Sequence, residues 1–157
     1  MAKNKRIFLG GTIDSKWREH LIPFLDDKIY NPVVKDWTPE KEKEIRRVKF
    51  EDCDFHLYVF TPKMKGFIAV AEFVESAHMM PDKTAFLFCS ADDGIHASEH
   101  LLRNFDVLGE IAGNRLGAEG FLDSFSMLIE HLNGRKMTRA EHIRYNMSPL
   151  LYTYSKD

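Results

Sequence analysis

Phe55-His-Leu-Tyr-Val-Phe-Thr61, then Pro62-Lys-Met-Lys-Gly66, then Phe67-Ile-Ala-Val-Ala-Glu72-Phe-Val-Glu-Ser76-Ala77 reads as a strand, a turn and a helix. The first run is rich in β-branched and aromatic residues, and proline and glycine punctuate the second. In the third, apolar residues cover most of the helix circumference and leave a stripe of Glu72, Glu75 and Ser76. Glu72 therefore sits in the second turn of a helix that follows a strand. The positive end of the helix dipole favours its ionised form there, and an ionised carboxylate in a cleft can act as a nucleophile. A glutamate on a polar stripe is ordinarily just solvated, so the rest of the chain must decide between the two readings.

Outward from this unit, short β-rich runs alternate with helical patterns. The order is Arg6 to Leu9, a helix from Ser15 to Leu25, Ile29 to Val34, and a helix from Pro39 to Phe50. After the central unit come Thr84 to Cys89, a helix from Ala97 to Ala112, a short strand in Gly117 to Phe121 and a helix ending near Leu132. Strands that alternate with helices make a parallel sheet, and right-handed crossovers wind it doubly, with about five strands and helices on both faces. Thr38-Pro39 reads as an N-cap followed by proline at the first helical position, and Pro23 should end the first helix near Ile22. The charge run Glu40 to Lys49 has only Ile45 and Val48 for a core, which predicts a surface helix with most of its charges solvated.

The chain has 157 residues, 44% of them hydrophobic. That is enough for one core, so residues 1–133 are expected to form one α/β domain. Residues 134–157 carry five Lys/Arg against two Asp/Glu, three tyrosines and no clear period. They read as a C-terminal tail, with Pro149 to Tyr154 packing on its own core or on a neighbouring subunit. A net charge of −2 gives no electrostatic case for nucleic acid or an anionic membrane, and favours a small-molecule ligand. No apolar run approaches the roughly 20 residues of a membrane span, and the N-terminus runs into a strand without a signal-peptide pattern, so a cytoplasmic protein is expected. Cys53 and Cys89 read as buried free thiols.

In a doubly wound sheet, ligands bind beyond the carboxyl ends of the strands. Those positions hold Gly10, Gly11 and Thr12, then Asp36 and Trp37, then Pro62 to Gly66 beneath Glu72, then Ser90, Asp92 and Asp93. Acids, small residues and an indole suit a sugar or nucleoside pocket: carboxylates accept from hydroxyls, the indole offers a face to a base, and glycines admit the backbone. Gly-x-Gly-x-x-Gly and Walker spacings are absent. The His96/His100 pair lacks a third ligand, so no metal and no other cofactor is expected.

Several linked motifs carry a likeness: Phe8-Leu-Gly-Gly-Thr12 with Trp17-Arg18, Tyr30-Asn-Pro-Val-Val-Lys-Asp-Trp-Thr-Pro-Glu40, Asp54-Phe-His-Leu-Tyr-Val-Phe-Thr-Pro62, and Gly66 to Glu72. Over roughly residues 6 to 133 the chain resembles the nucleoside 2-deoxyribosyltransferase-like family. The resemblance implies a flavodoxin-like (Rossmann-like) fold and a role in nucleoside salvage. Its reaction would be base exchange on a 2′-deoxyribonucleoside, with the helix carboxylate, here Glu72, as nucleophile. Asp36 is the candidate to hydrogen-bond or protonate the leaving base, or else it only starts its turn. Trp37 either walls the pocket or anchors that turn, and Asp54 either orients Glu72 or opens its strand. Ser76, on the stripe of Glu72, and Ser90 are further candidate substrate contacts. Better-known members carry an acid six residues before the nucleophile, where this chain has Gly66 between basic neighbours. Lys63 and Lys65 beside a helix N-terminus would suit a 5′-phosphate. Besides the transferase, two alternatives stay open: an N-glycoside hydrolase and a nucleotide-binding module without turnover. A homo-oligomer is expected.

Overall fold

The computed structural model describes residues 5–147. In chain order its elements are β1 (Arg6–Gly11), α1 (Trp17–Leu21), β2 (Lys28–Tyr30), α2 (Pro39–Arg47), β3 (Phe55–Phe60), α3 (Ile68–Met79), β4 (Thr84–Phe88), β5 (Ala91–Asp92), β6 (Ile95–His96), α4 (Glu99–Gly109), β7 (Glu119–Leu122), α5 (Phe125–Asn133) and α6 (Arg139–Met147). Five strands form one parallel sheet in the order β2-β1-β3-β4-β7. This is the flavodoxin-like, doubly wound arrangement that the alternation of strands and helices implies.

Side-chain alternation along the strands builds two cores. Ile7 and Leu9, Leu57 and Val59, and Ala85 and Leu87 face one way, onto Trp17, Leu21, Phe125, Leu128, Ile129 and Leu132 of α1 and α5. Phe8, Tyr58, Phe60, Phe86 and Phe88 face the other, onto Ile45, Phe73, Ala77 and Phe105 of α2, α3 and α4. The period of two thus sorts the helices into layers. Cys53 and Cys89 are buried free thiols, and among the described residues no helix is long and apolar enough to cross a membrane.

Several boundaries differ from the sequence reading. β2 stops at Tyr30, because Pro32 has no N–H for a ladder and Val33 and Val34 stay exposed. α1 ends at Leu21, and Pro23 lies in the 3₁₀ turn that follows. Ser98, not Ala97, starts α4 by accepting from the Leu101 N–H at 3.1 Å. The stretch Gly117 to Phe121 contributes β7 from Glu119, and α5 begins only at Phe125. A hairpin of β5 and β6 was not expected from sequence. Asp93 and Gly94 make its turn with φ of 51° and 75°, the positive angles that a two-residue type I′ turn requires. The tail is partly regular: α6 occupies Arg139–Met147, while Pro149 to Tyr154 lie outside the described residues.

Candidate active site

The strand order reverses direction beside β1, since α1 leads to β2 across one face and α2 leads to β3 across the other. A cavity of about 320 Å³ opens at this switch point. Gly11, Ile13 and Asp14 line it from the end of β1; Lys63, Lys65 and Gly66 line it from the loop after β3; Ile68 and Ala69 line it from the first turn of α3. Its floor is tightly determined. Gly11 has φ of 111°, and a Cβ there would lie 2.0 Å from the Val59 carbonyl oxygen, so no side chain fits. The Thr12 N–H donates to the same carbonyl at 2.9 Å, and its hydroxyl accepts from the Thr61 N–H at 3.0 Å. Buried Arg18 clamps the strand end by donating to the carbonyls of Leu9 and Thr12 at 2.7 to 3.1 Å, with the Trp17 indole beside it donating to Thr12 at 2.9 Å. Burial without a carboxylate lowers the Arg18 pKa to about 10.

Glu72 stands three and four residues beyond Ala69 and Ile68, on the same side of α3 and one turn further along. It is half-buried. Burial pushes its carboxyl above the usual range; the Lys49 ammonium opposes this, and the charge of the Glu42 carboxyl reinforces it. The dipole argument from sequence is therefore outweighed by desolvation. Behind Glu72 lies a polar chain inside the aromatic core. The Tyr58 hydroxyl donates to the Glu72 carbonyl at 3.2 Å and meets the Ser76 Oγ at 2.8 Å. Ser76 Oγ meets His56 Nδ1 at 3.0 Å, and His56 Nε2 meets the Lys49 carbonyl at 2.7 Å. A carbonyl only accepts, so Nε2 carries the proton and Nδ1 of the neutral ring accepts from Ser76.

A family model described as nucleoside 2-deoxyribosyltransferase like matches residues 4–92, more than half of the chain. The chain belongs to the nucleoside 2-deoxyribosyltransferase-like family. Comparisons with curated proteins and with solved structures gave no significant match. The family match is shorter than the likeness read from sequence, but it contains β1 through β5 and with them the cavity and Glu72.

In this member of the nucleoside 2-deoxyribosyltransferase-like family, the candidate residues separate into groups. Gly11, Lys63, Lys65 and Gly66 line the cavity, and Glu72 is one helical turn from it. Both lysines have carboxylate partners: Lys65 pairs with Asp14 at 2.9 Å, and Lys63 with Asp93 at 3.2 Å and Asp92 at 4.0 Å. Gly66 has nothing within 4 Å of a built Cβ, so no packing demands glycine there. Gly10 is covered by the Tyr58 ring, 2.5 Å from where a Cβ would be. Thr12 and Ser76 are spent on the internal bonds described above. Asp36 and Trp37 lie exposed on the loop before α2, where Lys41 Nζ donates to the Asp36 carbonyl and Trp37 Nε1 donates to Glu42 Oε2 at 3.1 Å. Asp54 is at the other end of β3 from the cavity and accepts from the Arg6 N–H at 3.0 Å, so it opens its strand. Ser90 is buried; its N–H donates to Asp123 at 2.6 Å, and its Oγ, like Asp92 Oδ2, meets no partner among the described residues.

Sequence reasoning passed over Glu42 and Lys49. Both share the inner stripe of their helix with Ile45, three before it and four after it, and that spacing is the signal that marks them as inward-facing. Lys49 is 2% exposed. The other charges of the run, from Glu40 to Arg47, are exposed as expected, apart from half-buried Glu42.

Proposed function

We propose that the protein cleaves the N-glycosidic bond of 2′-deoxyribonucleosides, or of their 5′-monophosphates, and transfers the sugar to another base. The observation that carries the reading is the position of Glu72, one turn along α3 from a cavity at the switch point of the sheet. A Glu72 carboxylate oxygen bonds to C1′ of the sugar as the bond from C1′ to the base nitrogen breaks. The bonding pair leaves with the base, which takes a proton from Asp36 on the exposed loop. An incoming base nitrogen then attacks C1′, giving its proton to Asp36, as the bond from C1′ to the Glu72 oxygen breaks and its pair returns to the carboxylate, so two inversions give net retention. Lack of a 2′-hydroxyl eases the oxocarbenium-like transition state. A carboxyl whose pKa is raised by burial is the more nucleophilic once ionised, which fits this role.

A hydrolase is the second reading, and the cavity lining favours it: Ile13 and Ile68 are exposed, so water has a path to the sugar ester. Incubation with deoxyadenosine or deoxyinosine plus cytosine or adenine, followed by product separation, decides. A new nucleoside supports the transferase, and free base alone supports the hydrolase. Neither product would leave nucleotide binding without turnover. A mass gain of one deoxyribosyl group on protein trapped with a slow substrate, absent in Glu72→Gln, would identify the nucleophile.

A further inference from the structure

Glu72 belongs to α3, so whatever fixes α3 along its axis fixes Glu72. No side chain caps the N-terminus of this helix, and the face it buries is apolar, which holds it close without setting its position. Directional bonds begin further along. Thr84 Oγ1, on β4, shares its proton between the carbonyls of Ser76 and Met80 at 3.1 and 2.8 Å. Among the described residues, the side-chain bond that reaches α3 nearest the cavity comes from Tyr58 on β3. Its hydroxyl donates to the Glu72 carbonyl at 3.2 Å and meets Ser76 Oγ at 2.8 Å. The Ser76 hydroxyl gives its own proton to His56 Nδ1, so its oxygen accepts from Tyr58, and one phenolic proton bridges two residues a turn apart. Burial pushes the Tyr58 pKa up, which keeps that proton in place.

The ring that carries this hydroxyl is seated by a glycine. Tyr58 is opposite Gly10 in the pairing of β1 with β3, and a Cβ at Gly10 would lie 2.5 and 2.7 Å from two carbons of the ring. Gly10 is not among the residues with positive φ, so the ring, and not the backbone, demands glycine there. Phe73, Phe8 and Phe60 close on Tyr58 with ring centres at 5.4, 6.0 and 6.4 Å, and it is fully buried, so it has no room to tilt aside. Resting on the reading of Glu72 as nucleophile, we infer that Tyr58 is a positioning residue: seated on Gly10, its hydroxyl pins the α3 backbone at Glu72 and sets the place of the carboxylate relative to the cavity. The two glycines at the end of β1 then divide the work, Gly11 admitting the backbone of β3 and Gly10 admitting its tyrosine. Without the bond, α3 slides on its apolar face, and a displacement of about 1 Å at an attacking group costs on the order of a hundred-fold in rate.

The test compares Tyr58→Phe and Gly10→Ala with a packing control, Phe86→Leu, which loosens the same aromatic core where Phe86 meets Phe73 at 5.0 Å and removes no hydrogen bond. Each protein is followed by the backbone carbonyl ¹³C signal of Glu72, by kcat and KM separately, and by thermal melting. In Tyr58→Phe the Glu72 carbonyl signal should move upfield, as a carbonyl does on losing a donor, and kcat should fall roughly ten- to a hundred-fold with KM within a few-fold. Gly10→Ala keeps the hydroxyl but displaces its ring, and should shift both readouts the same way; Tyr58→Phe decides the matter if that protein fails to fold. Phe86→Leu should lower Tm at least as much as Tyr58→Phe and leave kcat within a few-fold. A Glu72 carbonyl signal that stays put in Tyr58→Phe overturns the inference, as does a kcat equal to that of wild type, or an equal loss of kcat in Phe86→Leu. A wild type without turnover refutes the reading of Glu72 as nucleophile, and the carbonyl signal still decides whether Tyr58 holds α3, so the two fail separately.

Discussion

Glu72 and Glu75 are one turn apart on α3, and their surroundings give them different work. Arg46 grips Glu75 through both oxygens and holds its carboxyl below the usual range, on a side of the helix that water reaches. Such a pair contributes less than about 1 kcal/mol. Glu72 is half-buried, and desolvation holds its carboxyl above the usual range. We therefore expect Glu72→Gln to lower kcat by at least about a thousand-fold with a small change in Tm, while Glu75→Gln leaves kcat within a few-fold. Steady-state rates and thermal melts check both; equal losses at the two positions would remove the nucleophile assignment. Because Glu72 must be ionised to attack, the acid limb of activity should lie above the ordinary carboxylate range. At this scale the sequence was legible wherever a residue's placement follows from a pattern, as it does for Glu72 on the helix that follows β3. It was not legible where the role depends on what a side chain meets across the fold. Nothing near Asp54 in sequence tells that its carboxylate caps Arg6, and nothing near Ser76 tells that its hydroxyl lies between His56 and Tyr58.

Elements were read best from apolar period and capping chemistry, and worst where short signals were passed over. The Asp93-Gly94 turn between β5 and β6 is the strongest dipeptide signal for a two-residue hairpin, but the acids around it drew attention to ligands instead. The start of α6 was also written in the chain. Thr138-Arg-Ala-Glu141 is a capping box, in which the Thr138 Oγ1 accepts from the Glu141 N–H at 3.2 Å and Glu141 accepts from the Thr138 N–H at 2.7 Å. Arg135 ties this turn to the domain by bonding both Asp26 and Glu141. Met137 is buried, and Tyr145 packs on Phe24. A chain ending at Asn133 should therefore be less stable than one ending at Met147 by on the order of 2 to 3 kcal/mol from lost burial, read by urea unfolding; equal midpoints would show α6 to be dispensable to the core. The link between α3 and β3 has a pH signature. Burial lowers the His56 pKa from 6.5 to about 4, so between those values the unfolded chain binds the extra proton. Stability from this group is complete above about pH 6.5 and is lost as pH falls toward 4, at up to about 1.4 kcal/mol per unit. In His56→Gln the loss of stability between pH 7 and pH 5 should shrink, and an unchanged loss would show the ring to be indifferent.

Across the whole molecule a net charge of −2 hides a local arrangement at the cavity mouth. Two lysines stand before the N-terminus of α3, a place that favours anions, and each is engaged by an acid from a neighbouring loop. A 5′-phosphate would compete with those acids for the same ammonium groups. Deoxynucleoside monophosphates should then react or bind better than nucleosides, and Lys63→Ala with Lys65→Ala should reduce the preference. Asp14→Asn, which frees Lys65, should strengthen it, and added salt should weaken it. Indifference of the wild type to the phosphate would leave the plain nucleoside as substrate. The two tryptophans provide a way to watch such a ligand arrive. Trp17 is fully enclosed under the Arg18 clamp, while Trp37 is 62% exposed with its indole nitrogen on Glu42. The first fluorophore reports whether the sheet is intact, and the second reports who is standing at the door: in a Trp17→Phe protein, emission comes from the loop before α2 alone, and a base stacking there would quench it within the mixing time of a stopped-flow trace.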